Sequence, residues 1–157
     1  TDIVKSTNLL EAIGDEAWQH LLRWHDQTLR SLFSSHGGEE VKQVGDGFVV
    51  AFANASESVE AAVAIQRALA EHRKAHGFSP QVRIGLHTAE VTRKGMDYEG
   101  RGVHEAARIG ALAEGGEILA STETYSAGNC RFPASAQREV SLKGISNPIE
   151  IVSIDWR

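Results

Sequence analysis

Apolar residues recur at helical spacing in two long stretches of the chain. Trp18, Leu21, Leu22, Leu29, Leu32 and Phe33 form a stripe at i, i+3 and i+4, which predicts a helix over 15–35 that ends before Gly37 and Gly38. Ser6 and Thr7 precede it as candidate caps of a shorter helix over 6–13. The second stripe, Val59, Ala62, Val63, Ile65 and Leu69, follows Asn54-Ala55-Ser56-Glu57, whose spacing is that of a capping box, and Gly77 closes it. Between these helices two β-leaning runs, 39–44 and 48–52, flank Gly45-Asp46-Gly47. Glycines there tolerate the positive φ of a tight turn, so a hairpin is expected with Asp46 at its tip.

Further along, Val82, Ile84 and Leu86 alternate with Arg83 and His87, the signature of a half-buried strand over 81–87, which 89–92 either continues or pairs with. A loop rich in glycine and charge over 94–102 leads to a helix over 103–112 and a strand over 117–120. Alternation returns in 140–142 and 149–154. The chain opens on Thr1-Asp2-Ile3-Val4, a β-leaning stretch with a carboxylate inside it, as though it began within a truncated first strand. Strands paired as a hairpin and separated by helical crossovers give an α+β class, ferredoxin-like βαββαβ at its centre. Its sheet is expected to be mostly antiparallel, with helices covering one face. No repeat, linker or low-complexity tract divides residues 1–157, so one domain is expected.

Composition narrows the partners. Sixteen Lys and Arg against 21 Asp and Glu leave a net charge of −5, the wrong sign for a general nucleic-acid binder. A phosphate ligand must therefore meet a few placed cations. The longest apolar run, the six residues 48–53, is far short of the roughly 20 that cross a bilayer, so no membrane partner is expected. The single Cys130 excludes an internal disulfide and thiolate-rich zinc sites and fits the reducing cytoplasm.

Two carboxylates stand in strand or turn positions, Asp2 and Asp46, 44 residues apart. One helical crossover and one strand separate them, a path that brings a strand residue beside a neighbouring hairpin tip. Such a pair suits Mg²⁺ or Mn²⁺, hard cations that take oxygen ligands; by spacing alone, Asp46 equally fits a residue that only favours the turn. The surrounding motifs are more specific. Thr1-Asp2-Ile3-Val4-Lys5-Ser6-Thr7, Lys42-Gln43-Val44-Gly45-Asp46-Gly47-Phe48, Val82-Arg83-Ile84-Gly85-Leu86-His87-Thr88, Gly102-Val103-His104-Glu105-Ala106-Ala107-Arg108-Ile109 and Leu142-Lys143-Gly144 occur in this order. Together they resemble the catalytic domain of class III adenylate and guanylate cyclases over nearly the whole chain.

The resemblance implies a homodimer with two equivalent active sites at its interface, each completed by both subunits. In that family the positions matching Asp2 and Asp46 bind two metal ions with help from the Ile3 carbonyl, and Arg83 contacts the released phosphates. From the other subunit, Lys42 and Asp97 match the pair that reads adenine, Arg108 and His104 the pair that stabilises the transition state, and Lys143 the lysine on the triphosphate. Lys42 suits the N1 acceptor of adenine and Asp97 its exocyclic amine, whereas guanine presents an acceptor oxygen and a protonated N1 at those places. The implied activity is therefore conversion of ATP to 3′,5′-cyclic AMP and pyrophosphate.

Two positions depart from the family pattern. His104 stands where active members usually carry Asn, exchanging a neutral amide for a bulkier group that charges near neutral pH. Lys5 stands where the family usually has Gly. These departures motivate an alternative, a weakly active or inactive nucleotide-binding domain that regulates by dimerising. Two further readings rank lower: a diguanylate cyclase, from Gly37-Gly38-Glu39-Glu40, and a metal module built on His72 and His76, spaced i, i+4 with no third ligand.

Overall fold

The computed structural model describes residues 1–95, 97–129 and 131–157, with the backbone alone of Asp97. Cys130, on which the expectation of a reducing compartment rests, lies outside the described residues, as does Met96. The chain opens with strand β1 (Asp2–Ile3), helices α1 (Ser6–Ile13) and α2 (Asp15–Ser35), and a hairpin of β2 (Glu39–Val44) and β3 (Gly47–Ala51). Helix α3 (Ala55–His76) and strand β4 (Val82–Leu86) follow. A second small hairpin, β5 (Thr92–Lys94) and β6 (Asp97–Glu99), precedes helix α4 (Arg101–Leu112), strand β7 (Ile118–Ser121), helix α5 (Thr122–Ala127) and strands β8 (Arg138–Val140) and β9 (Ile149–Ser153).

The main sheet has the order β1-β4-β7-β9-β8, antiparallel throughout except for the parallel pair β4–β7. Main-chain bonds from Thr1 N to Phe48 O and from Phe48 N to Thr1 O set β3 along the free edge of β1. The spatial run β2-β3-β1-β4 is thus the expected ferredoxin-like arrangement, extended by β7, β9 and β8.

One expectation is corrected here. Helices cover both faces of the sheet, and β7 shows why: its four residues are all buried, with Ile118 and Ala120 in one apolar cluster and Leu119 in another. The larger cluster takes Leu29 and Phe33 from α2 and Val59, Val63, Ile65 and Leu69 from α3; the smaller joins Ile109 of α4 to Leu119, Leu142 and Ile151. A strand buried on both sides reads as a continuous apolar run, and Ile118-Leu119-Ala120 is one.

Local boundaries differ where turn chemistry decides them. The first hairpin turns on Gly45 and Asp46 only, since Gly47 already pairs with Val44. Neither Ser6 nor Thr7 caps α1: the residue ahead of the helix is Lys5, in the left-handed region at φ 54 and ψ 40. At α3 the Asn54 side chain accepts from the Glu57 N–H as the capping pattern requires. Residues 89–91 neither extend nor pair with β4; Thr92–Lys94 pairs instead with Asp97–Glu99, inside the stretch expected to be loop. Helix α4 begins two residues early, β8 sits at Arg138–Val140, and α5 was not legible as a helix. His72 and His76 pack as rings 4.4 Å apart, with His72 stacked 3.7 Å from Trp24 and its Nδ1 donating to Phe78 O. That pair serves the α2–α3 interface. Among the described residues no helix is long and apolar enough to cross a membrane.

Candidate active site

Two short elements bring the distant carboxylates together. Gly45 takes φ +61, which lets the β2–β3 turn close tightly and carry Asp46 back toward β1. Gly47 approaches so closely that a Cβ there would overlap the Thr1 carbonyl. As a result the Asp46 carboxylate accepts from the Ile3 N–H at 3.2 Å, beside Asp2 on the same strand. Asp2 is directly opposite Arg83 in the β1–β4 register. Arg83 donates through Nε (2.9 Å) and Nη2 (2.7 Å) to Asp2 Oδ2, and through Nη1 to the Ala111 carbonyl at the end of α4 (3.1 Å). The guanidinium therefore spans the carboxylate and the helix, a charge-assisted contact of the stronger kind.

Helix α4 rests on three alternate positions, two in β4 and one just past its end. Arg83 reaches Ala111, Gly85 lies against the backbone of Ala106 and Gly110, and His87 Nε2 meets Glu105 Oε2 at 2.5 Å. The helix consequently presents the opposite face to solvent, where His104 and Arg108 are both exposed, one turn apart. Lys42 is on β2, opposite Val49 in the hairpin, and Lys143 is exposed in the turn between β8 and β9. Asp97 opens β6 opposite Lys94; its side chain lies outside the description.

Within one chain, then, Asp2, Ile3, Asp46 and Arg83 form a cluster, while His104 and Arg108 share a separate helix face. A cavity of about 520 Å³ runs from Asp2 and Arg83 between the first hairpin and α4, walled mainly by apolar residues such as Val50, Phe52, Ile65 and Val103. Its lining does not include Lys42, Asp46, His104, Arg108 or Lys143.

Two features escaped sequence reasoning. His25 is fully buried in the α2 stripe, its Nδ1 2.7 Å from Asp26 Oδ1 and its Nε2 without a partner among the described residues. Burial lowers its pKa from 6.5, against the hydrogen bond and charge of Asp26 and the charge of Asp46. Its position, three residues after Leu22 and four before Leu29, was the available signal. The other is the His87–Glu105 contact, whose members lie in two motifs with no sequence pattern linking them.

Comparison with known proteins agrees with this architecture. The profile of the adenylate and guanylate cyclase catalytic domain matches residues 1–154. An uncharacterized protein of Mycobacterium tuberculosis is 36% identical over 141 residues, covering 86% of this chain and 45% of that protein. A receptor-type adenylate cyclase of Trypanosoma congolense is 30% identical over 202 residues, covering 99% of this chain and 27% of the relative. The chain thus spans less than half the length of either. The crystal structure of the guanylyl cyclase Cya2 superposes with a TM-score of 0.84 at 26% identity, covering 98% of this chain and 87% of that one. Matched along its length by the profile and by its fold, the chain belongs to the adenylate and guanylate cyclase catalytic domain family.

Proposed function

We propose that residues 1–157 form one adenylate cyclase catalytic domain that converts ATP to 3′,5′-cyclic AMP and pyrophosphate, as a homodimer with two shared sites. The observation that carries this reading is the delivery of Asp46 to the β1 backbone by the hairpin turn, at the Ile3 N–H. It sets two carboxylates from distant parts of the chain at one sheet edge. The donor set there, Asp2, Asp46 and the Ile3 carbonyl, is all oxygen and fits Mg²⁺ or Mn²⁺. Both bonds from Arg83 to Asp2 fall on Oδ2, and Oδ1 takes none among the described residues. Two such ions would offset charge on the phosphoryl oxygens and make the ribose 3′ hydroxyl easier to deprotonate.

The residues of the chain supply the rest. The 3′ oxygen forms a bond to the α-phosphorus while the bond to the bridging oxygen of pyrophosphate breaks, and the hydroxyl proton passes to solvent. Arg83, on β4 beside the carboxylates, binds the departing phosphates. From the partner, Arg108 donates to the phosphoryl oxygens and His104 orients the ribose through a ring nitrogen, while Lys143 holds the triphosphate. Lys42 donates to adenine N1 and Asp97 accepts from the amine, which favours ATP over GTP. The exposure of His104 and Arg108 on a face turned from their own sheet supports a site completed by a second copy. The same reading sets the domain in the cytoplasm, where ATP is supplied.

A second reading, a weakly active or inactive nucleotide-binding module that regulates by dimerising, is favoured by one observation: the Arg83 guanidinium already engages Asp2 through two N–H bonds. The experiment that separates the two is an assay of purified protein with Mn·ATP and with Mn·GTP, detecting cyclic nucleotide. The adenylate cyclase reading expects cyclic AMP from wild type and none from Asp46→Ala. Cyclic nucleotide at the same rate from Asp46→Ala removes the assignment of the metal cluster, and nucleotide binding without turnover in wild type supports the regulatory module.

A further inference from the structure

We infer that His87 and Glu105 are positioning residues that tether the N-terminal half of α4 to the sheet and so set where His104 and Arg108 project; this rests on the proposed cyclase function. Helix α4 starts without a side-chain cap, because Gly100 at its N-cap has none to offer. Its C-terminal half is fixed by the Arg83–Ala111 bond and by the backbone contact of Gly85 with Gly110. Its first turns hold the sheet by a different means. Glu105 Oε2 meets His87 Nε2 at 2.5 Å, while its Oε1 meets Arg101 Nε at 2.8 Å, one turn back on the same helix.

Behind this contact the imidazole is itself locked. His87 Nδ1 lies 3.0 Å from Ser121 Oγ, Ser121 Oγ lies 2.8 Å from Thr124 Oγ1, and Thr124 Oγ1 lies 3.0 Å from Thr88 Oγ1. Ser121 and Thr124 are buried, and the His87 and Glu105 side chains are only 8% and 13% exposed. A carboxylate only accepts, so the His87 Nε2–H donates to Glu105, and Nδ1 is joined to Thr88 through the hydroxyls of Ser121 and Thr124. Every member is satisfied, which makes the network rigid. Glu105 immediately follows His104 and precedes Arg108 by three residues on the helix. The bond that holds it therefore fixes the rotation of the turn from which both exposed side chains leave. The His87 and Glu105 side chains are nearly buried against the sheet whereas His104 and Arg108 are exposed, so the pair acts through α4.

The test uses steady-state kinetics with Mn·ATP on wild type, Glu105→Ala, His87→Ala, the double variant and Glu105→Gln. Each alanine variant should lose about tenfold in kcat with KM within about twofold, because the misplaced groups act on the transition state. The double variant should lose no more than either single one, since the two residues form one unit. Glu105→Gln, whose amide oxygen still accepts from the imidazole, should recover most of the rate. A kcat within about twofold of wild type for Glu105→Ala, or losses that multiply in the double variant, overturns the tether. If wild type makes no cyclic nucleotide the proposed function falls, and the tether is then read from amide hydrogen exchange. Glu105→Ala should speed exchange of the 103–108 amides about tenfold relative to those of β4 and β7; unchanged exchange overturns it.

Discussion

Replacing Gly85 by Ala tests how tightly α4 must be seated. A Cβ on Gly85 would lie 2.6 Å from the Ala106 carbonyl oxygen and from Gly110 Cα, and nearer still to Gly110 N. All three are backbone atoms, so no side chain can swing aside. Ordinary contact begins at 3.4 Å, so α4 must retreat by at least about 0.8 Å. Gly85 does not sit at a positive φ, which leaves packing as the whole cost. Overpacking of this kind costs about 1–3 kcal/mol, and for a chain of this size about 2 kcal/mol lowers Tm by roughly 4–8 °C. The same retreat moves His104 and Arg108, and if these serve the transition state as proposed, a shift approaching 1 Å lowers kcat by up to about a hundredfold. Gly110→Ala is the internal control. Its Cβ would meet Gly85 N at 3.3 Å and Gly85 Cα at 3.5 Å, a small misfit that the gain in helix propensity of about 1 kcal/mol offsets. Thermal unfolding and Mn·ATP kinetics on both variants decide the matter. Gly85→Ala with wild-type Tm and kcat, or Gly110→Ala as damaging as Gly85→Ala, refutes the seating argument.

Three further outcomes are expected. Because burial depresses the His25 pKa below 6.5, the unfolded chain binds a proton that the native state resists, so the stability from this group is full above about pH 6.5 and declines as pH falls below it. The urea midpoint should drop between about pH 7 and pH 5.5, and His25→Gln should show a shallower drop; equal slopes contradict the assignment. Lys5 holds φ 54 ahead of α1, a conformation costing L residues about 1–2 kcal/mol, so Lys5→Gly should raise stability by up to about 1 kcal/mol after the added freedom of the unfolded chain. A lower Tm would show that the Lys5 side chain itself stabilises the fold. Finally, Lys42→Glu combined with Asp97→Ser should shift the ratio of rates with Mn·ATP and Mn·GTP toward GTP, and an unchanged ratio counts against base reading by this pair.

Most of the helix and strand order was legible because periodicity and turn residues agreed. The α2 stripe, the Asn54 cap and the glycines beside Asp46 each act through neighbours close in sequence. What escaped depended on contacts between distant segments. That helices cover both faces was hidden in Ile118-Leu119-Ala120, a run too short to reveal which face each side chain would find. The Lys5 backbone is left-handed although a lysine gives no local reason for it. For the candidate site, the ordered motifs named Asp2, Asp46 and Arg83, and folding brings these three together. Neither the Arg83–Asp2 contact nor the His87–Glu105 tether could be read in advance. Each joins side chains whose residues have several other plausible uses, and only the β1–β4 register and the seating of α4 choose among them.

The central claim, a catalytic site built from two copies of this chain, is tested most directly by mixing two inactive variants. Asp46→Ala removes a proposed metal ligand and Arg108→Ala removes the residue proposed to act across the interface, so each homodimer should be silent with Mn·ATP. A heterodimer carries one site damaged at both positions and one left whole, so equal mixing should restore roughly a quarter of wild-type cyclic AMP formation. Restored activity in the mixture is the result expected; full loss in the mixture, with the heterodimer shown to form, contradicts a shared site.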